Sequence, residues 1–178
     1  KTDVYTDSAS QKVDVLFVVD DSGSMGQEQT NLAGSFEAFI MEAATWNSDY
    51  QIGVTTTTVE LLSLDGGILQ GEPRFVTDAD WEKFIYNVLV GTSGSGTEQG
   101  LWAAQIAVSS PLVDTSTEAC EVNSDCGLFM ACYPDAEAAG DLCKGYNHSF
   151  LREDAALEIV FVSDEEDQSP NNLDFYLN

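Results

Sequence analysis

Val13 to Met25 reads VDVLFVVDDSGSM. Val13–Val19 is an almost unbroken β-branched and apolar run, the pattern of a strand buried on both faces, as in a parallel sheet covered by helices. The run stops at Asp20-Asp21-Ser22-Gly23-Ser24. From about Gln27 to Thr45, Leu32, Phe36, Phe39 and Ile40 recur at helical spacing. The first unit is therefore strand, acidic-hydroxyl loop, helix.

The same grammar repeats outward. Tyr50–Thr58 (YQIGVTTTT) reads as a second strand rich in β-branched residues. Asp65-Gly66-Gly67, within Leu61–Pro73, signals a hairpin or edge strand. Asp78–Leu89 predicts a helix with Asp78 as N-cap and Trp81, Phe84, Ile85 and Val88 on one face. The Gly-rich loop Gly91–Gly100 leads into an Ala-rich helix, Leu101–Ser109, that ends before Pro111. Ala155–Val162 (AALEIVFV) resumes the buried-strand pattern and ends in Ser163-Asp164-Glu165-Glu166-Asp167. Asn171–Asn178 starts a further helix. Strands alternating with helices predict an α/β fold, a Rossmann-like, mostly parallel sheet flanked by helices. In such sheets ligands bind beyond the carboxyl ends of the strands, where both acidic clusters fall.

Composition narrows the function. The chain has 178 residues, 43% of them hydrophobic, enough for one sizeable core. Six Lys and Arg stand against 31 Asp and Glu, a formal charge of −25. That surface repels nucleic acid and anionic lipid and concentrates divalent cations. No apolar run approaches the roughly 18 residues of a membrane span, so no direct membrane insertion is expected. All four cysteines, Cys120, Cys126, Cys132 and Cys143, lie in one polar stretch. Their spacing lacks the C-x2-C pairs of a zinc site, and an even count in a short segment reads as two disulfides. Three pairings are open; Cys120–Cys132 with Cys126–Cys143 is preferred. The segment at about 114–148 thus reads as a disulfide-stapled loop inserted in a domain spanning 13–178, after an extended lead-in at 1–12. Disulfides place the chain in an extracytoplasmic setting: secreted, on the cell surface, or on an outer-membrane lipoprotein.

Asp20, Ser22 and Ser24 sit at i, i+2 and i+4, where alternate side chains can share a centre. Hard divalent cations take oxygen ligands, and hydroxyls with few carboxylates leave an ion open to an external carboxylate. Alone, Ser22 and Ser24 read equally well as turn or cap residues, and Thr97 and Asp164 as helix N-caps. Three segments in chain order lift them above that. Asp20-Asp21-Ser22-Gly23-Ser24 resembles the D-x-S-x-S motif of the von Willebrand factor A domain, which carries a metal-ion-dependent adhesion site. Thr97-Glu98-Gln99-Gly100-Leu101-Trp102-Ala103 is similar to that family's T-x-x-G-x-A-L segment, with Trp102 departing at the alanine. Asp164 after Ile159–Ser163 resembles its third-loop Asp, with Glu165 where a glycine is usual.

The resemblance implies a metal bound by Asp20, Ser22, Ser24, Thr97 and Asp164. Mg²⁺ is the expected ion, with Ca²⁺ and Mn²⁺ as alternatives. It implies a protein or cell-surface partner whose carboxylate completes the coordination, in an adhesion module that is not an enzyme. A second metal would draw on Glu28, Glu165 and Asp167; otherwise Glu28 is a solvated helix residue. Family members continue past the third-loop Asp for two strands and a helix, so the C-terminal strands are expected to be missing or supplied by another chain. The alternative function is a structural or assembly subunit whose metal only stabilises the fold. A phosphotransfer enzyme would need a lysine at a strand end, and after the second strand the chain has only Lys83 and Lys144. A hydrolytic triad would have to use His148, the single histidine, without a G-x-S-x-G elbow.

Overall fold

The computed structural model describes residues 12–43, 49–59, 66–135, 137–138 and 140–176. It is a mixed α/β structure. The central sheet has strands β1 (Lys12–Val19), β2 (Asp49–Thr56), β3 (Phe75–Val76) and β7 (Ala156–Val162), in the order β3-β2-β1-β7. β1 runs parallel to β2, with Val15 opposite Ile52, and to β7, with Phe17 opposite Val160. β3 pairs antiparallel with β2, so the sheet is mixed.

The two-sided burial read from VDVLFVV has a direct physical expression. Alternate residues of β1 enter two separate cores. Val15, Phe17 and Val19 pack against Ala33 and Phe36 of helix α1 (Gly26–Ala43) and against Phe84 of the short helix α2 (Phe84–Asn87). Phe36 and Phe84 stack with ring centroids 3.5 Å apart. On the opposite face, Leu16 and Val18 pack against Ala103, Ala104 and Ala107 of helix α3 (Gly100–Ala107), and against Phe150. Small alanines let α3 lie close to the strand.

Several expectations change. The helix over 78–89 is a 3-10 turn at Trp81–Lys83 followed by the single turn of α2. Asp78 is not its cap: the Asp80 carboxylate instead accepts from Thr77 N at 2.7 Å and closes a turn there. Glu60–Asp65 lie outside the described residues, and the edge strand is β3, beyond the Gly66–Gly67 turn. The helix near the C-terminus is one turn, α4 (Leu173–Tyr176).

The Cys-rich segment is more ordered than a stapled loop. β4 (Thr115–Ala119), β5 (Met130–Tyr133) and β6 (Leu142–Gly145) form a separate antiparallel sheet, ordered β4-β6-β5. Cys120–Cys132 and Cys126–Cys143 are disulfide-bonded. Buried Asn147 fastens this sheet to the main body. It donates to Gly67 O and Ala107 O and accepts from Leu69 N.

β7 stands apart. Its apolar residues Leu157, Ile159, Val160 and Phe161 are 37–47% exposed, and among the described residues it pairs only with β1. No described helix is long and apolar enough to cross a membrane. The disulfides suggest an oxidising, extracytoplasmic environment.

Candidate functional site

The loops after β1 and β7 meet because the two strands run parallel side by side. Asp20 N donates to Val162 O at 2.9 Å, carrying the strand pairing one residue past the end of β1. Asp20 is buried and fixed on every side. Its Oδ1 accepts from Ser22 N at 2.8 Å, its Oδ2 from Ser163 Oγ at 2.6 Å, and its carbonyl from Gln29 Nε2 at 2.9 Å. A carboxylate so oriented still has lone pairs to offer a cation.

Beyond Asp20 three oxygens follow in a row. Ser22 Oγ lies 3.3 Å from Ser24 Oγ, and Ser24 Oγ donates to Asp164 Oδ1 at 3.1 Å. Ser22 is buried; Ser24 and Asp164 are exposed. The structure therefore brings Asp20, Ser22, Ser24 and Asp164 to one loop cluster. Two carboxylates and two hydroxyls make an all-oxygen donor set of the kind a hard divalent cation accepts.

Thr97 is placed differently. It is exposed, and its backbone N–H donates to Ser95 Oγ at 3.1 Å. The residue that turns inward from this loop is Glu98, 1% exposed. Its Oε2 accepts from Thr57 Oγ at 2.5 Å, and its Oε1 is buried with no hydrogen-bond partner. Two backbone bonds lock that choice: Gln99 N donates to Thr57 O, and Gln168 N to Glu98 O. Burial pushes the Glu98 carboxyl above its ordinary range, and the neighbouring charges of Asp20 and Asp21 push the same way.

Asp21 is raised too, first by burial and then by Asp20, although Thr58 Oγ donates to its Oδ1 at 2.8 Å. Gly94 N donates to Asp21 O, and a Cβ at Gly94 would collide with the Asp21 carboxylate. Glycine is what lets the second loop close over the first. Of the acids considered for a second ion, Asp167 is the one whose carboxylate accepts hydrogen bonds among the described residues. Glu28 is exposed in the first turn of α1. Asp167 Oδ1 accepts from Leu101 N at 3.0 Å, satisfying a free amide at the start of α3, while Ser169 Oγ takes the Trp102 amide. Glu165 N donates to Ser163 Oγ, steadying the hydroxyl that holds Asp20.

Sequence reasoning missed Glu98, Ser163 and the capping role of Asp167. Only the acidic content of the third loop hinted at the last. Among the described residues, one set of three His, Cys, Asp or Glu ligand atoms is close enough to share an ion: Cys120, Cys126 and Cys143, within 4.8 Å of one another. Both disulfides would have to be reduced first, because the thiolate is the metal ligand.

No family model matches the sequence, and neither a curated protein nor a solved structure shows significant similarity to it.

Proposed function

We propose that this chain is a metal-dependent binding module with a von Willebrand factor A-like, Rossmann-type domain, acting outside the cytoplasm and without catalysis. A divalent cation, Mg²⁺ first and Ca²⁺ or Mn²⁺ as alternatives, would be held by Asp20, Ser22, Ser24 and Asp164. An acidic group of a protein or surface partner would complete its shell. The observation that carries the reading is the run of contacts from Asp20 Oδ1, held by Ser22 N, to Ser22 Oγ beside Ser24 Oγ and Ser24 Oγ on Asp164 Oδ1, drawn from two loops at the carboxyl ends of adjacent parallel strands. Its low formal charge favours an added carboxylate ligand. Thr97 enters the proposal as a residue of the neighbouring loop that would have to turn inward to ligate.

The test is titration of the purified chain with Mn²⁺, followed by a glutamate-bearing peptide. One saturable ion per chain, lost in Asp164→Ala, together with peptide binding abolished by EDTA, is the expected result. Ion binding unchanged by Asp20→Ala and by Asp164→Ala would overturn the reading.

A second reading, an assembly subunit, is favoured by β7. Its apolar residues are half open to solvent, and among the described residues its outer edge pairs with no strand, as a site for a further strand would be. Concentration-dependent association that survives EDTA and is weakened by Phe161→Lys would select it.

A further inference from the structure

The small antiparallel sheet gathers its sulfur more closely than the sequence spacing suggests. Cys120 follows β4, Cys126 follows the 3-10 turn Asn123–Asp125, Cys132 lies on β5 and Cys143 on β6. The Sγ atoms of Cys120, Cys126 and Cys143 lie within 4.8 Å of one another, and Cys132 Sγ is bonded to that of Cys120. Four sulfurs from four places in the chain thus make one cluster, in which Cys143 is fully buried. His148, the single histidine, is not part of it.

Bonds other than sulfur–sulfur also hold the four backbones there. Cys120 N donates to Asp141 O at 3.1 Å, Cys126 N to Asn123 O at 3.1 Å, and Cys132 N to Asn123 Oδ1 at 3.0 Å. Cys143 stands opposite Cys132 in the ladder of β5 and β6. None of these contacts involves sulfur, so they bias the reduced segment toward the same convergence. Four convergent thiolates are the donor set of structural zinc, which holds a tetrahedron of sulfurs at about 2.3 Å and therefore about 3.8 Å from one another. The three sulfurs within 4.8 Å need to close by about 1 Å at most, and each bonded pair to open by about 2 Å, by rotation of the side chains. A C-x2-C pair would supply two ligands from one turn. Here two turns and a strand pair bring the four together.

We propose that the reduced chain binds one Zn²⁺ through Cys120, Cys126, Cys132 and Cys143, so that the ion and the two disulfides are alternative staples of the small sheet. A dithiol reductant supplies two electrons and two protons to each disulfide, which becomes two thiols while the dithiol closes to its own disulfide. Zn²⁺ then displaces the four thiol protons to solvent, with no further electron transfer. Soft thiolates favour zinc over Mg²⁺ or Ca²⁺, and four sulfurs suit its tetrahedral geometry. Reoxidation forms the two disulfides and releases the ion. The site shares no residue with the proposed Asp20 cation site and does not depend on it.

The experiment uses the full chain, reduced by a dithiol that is then removed under anaerobic conditions. It is titrated with Co²⁺ as a spectroscopic stand-in and then with Zn²⁺, in excess Mg²⁺. Saturation at one Co²⁺ per chain, with thiolate-to-cobalt charge-transfer bands that Zn²⁺ abolishes, is expected; oxygen ligands give no such bands, so the Asp20 site cannot mimic the result. Zinc should restore slow amide exchange to β4, β5 and β6 of the reduced chain, and EDTA should remove that protection. The oxidised chain should show neither effect. Cys126→Ser should lose more than about 100-fold in zinc affinity, beyond the 10- to 100-fold of a residue that only supports a ligand. The reduced and oxidised wild-type chains carry the test by themselves if that variant does not fold. Absence of thiolate bands, bands of equal strength in the oxidised chain, exchange in the small sheet that zinc leaves unchanged, or unaltered zinc affinity in Cys126→Ser would each overturn the proposal.

Discussion

Ser24 Oγ donates to Asp164 Oδ1 across 3.1 Å, joining two loops that lie 140 residues apart in the chain. The contact exists because β1 and β7 are neighbouring parallel strands whose carboxyl ends finish level, with Val19 opposite Val162. Any function that needs the two loops together depends on that register.

Ser163 is the first place to test that dependence. Its hydroxyl donates to Asp20 Oδ2 and accepts from Glu165 N. Under the proposed cation site it is a positioning residue that touches the ligand, not the ion. Ser163→Ala should lower Mn²⁺ affinity by about 10- to 100-fold, the usual cost of losing such a support, with the fold intact by circular dichroism. Unchanged affinity would show that Asp20 needs no such brace.

Arg152 should be among the costliest charged residues to remove. Its Nε and backbone N reach the two oxygens of Asp14, which is 1% exposed. Its guanidinium also binds Asp49 Oδ1, Val13 O and Asp49 O. Although burial works against its charge, the hydrogen bonds it donates to Asp49 and Asp14 raise its pKa. Arg152→Met leaves the buried Asp14 carboxyl without its guanidinium partner and should cost about 3–5 kcal/mol in urea denaturation. Asp49→Asn, at a half-exposed side chain, should cost under about 1 kcal/mol.

Asn147 couples the small sheet to the core through three buried partners. Replacing it with Ala strands Leu69 N and leaves Gly67 O and Ala107 O short of a donor. A loss of about 3 kcal/mol is expected. Hydrogen exchange should quicken at Leu69 before it does in β1.

The disulfides should matter locally. They close segments separated by 12 and 17 residues, each worth about 3 kcal/mol in the chain-entropy account. Reduction should expose β4, β5 and β6 to rapid exchange while β1 and β2 stay protected. Simultaneous loss of protection in both sheets would mean that they fold as one unit.

His148, the single histidine, gives an uncrowded pH probe. Burial, and then the charges of Lys144 and Arg74, hold its pKa below the ordinary 6.5. The folded state therefore takes up its proton less readily than the unfolded chain. Stability from this group is full above about pH 6.5 and is lost as pH falls through the lower folded value. The imidazole resonance should titrate below 6.5, and His148→Gln should remove that part of the acid-side slope in melting temperature.

The amino-acid sequence alone determined the central strand, because an apolar run with both alternating sets hydrophobic can be satisfied only between two covered faces. It placed the hydroxyl-acid loop after that strand for the same reason: the polar residues begin where burial ends. It also marked the Cys-rich segment as a stapled unit. Tertiary structure decided what the loops do with their side chains. Thr97 and Glu98 are adjacent, and nothing in their spacing says which one turns inward. The backbone bonds from Gln99 to Thr57 and from Gln168 to Glu98 choose Glu98. Nothing in the acidic run marks Asp167 as a cap, and it caps α3 because that helix begins within its reach. A strand announces itself by burial repeated along many residues. A loop side chain points where a few long-range hydrogen bonds send it, and those arise only once β1, β2 and β7 lie side by side.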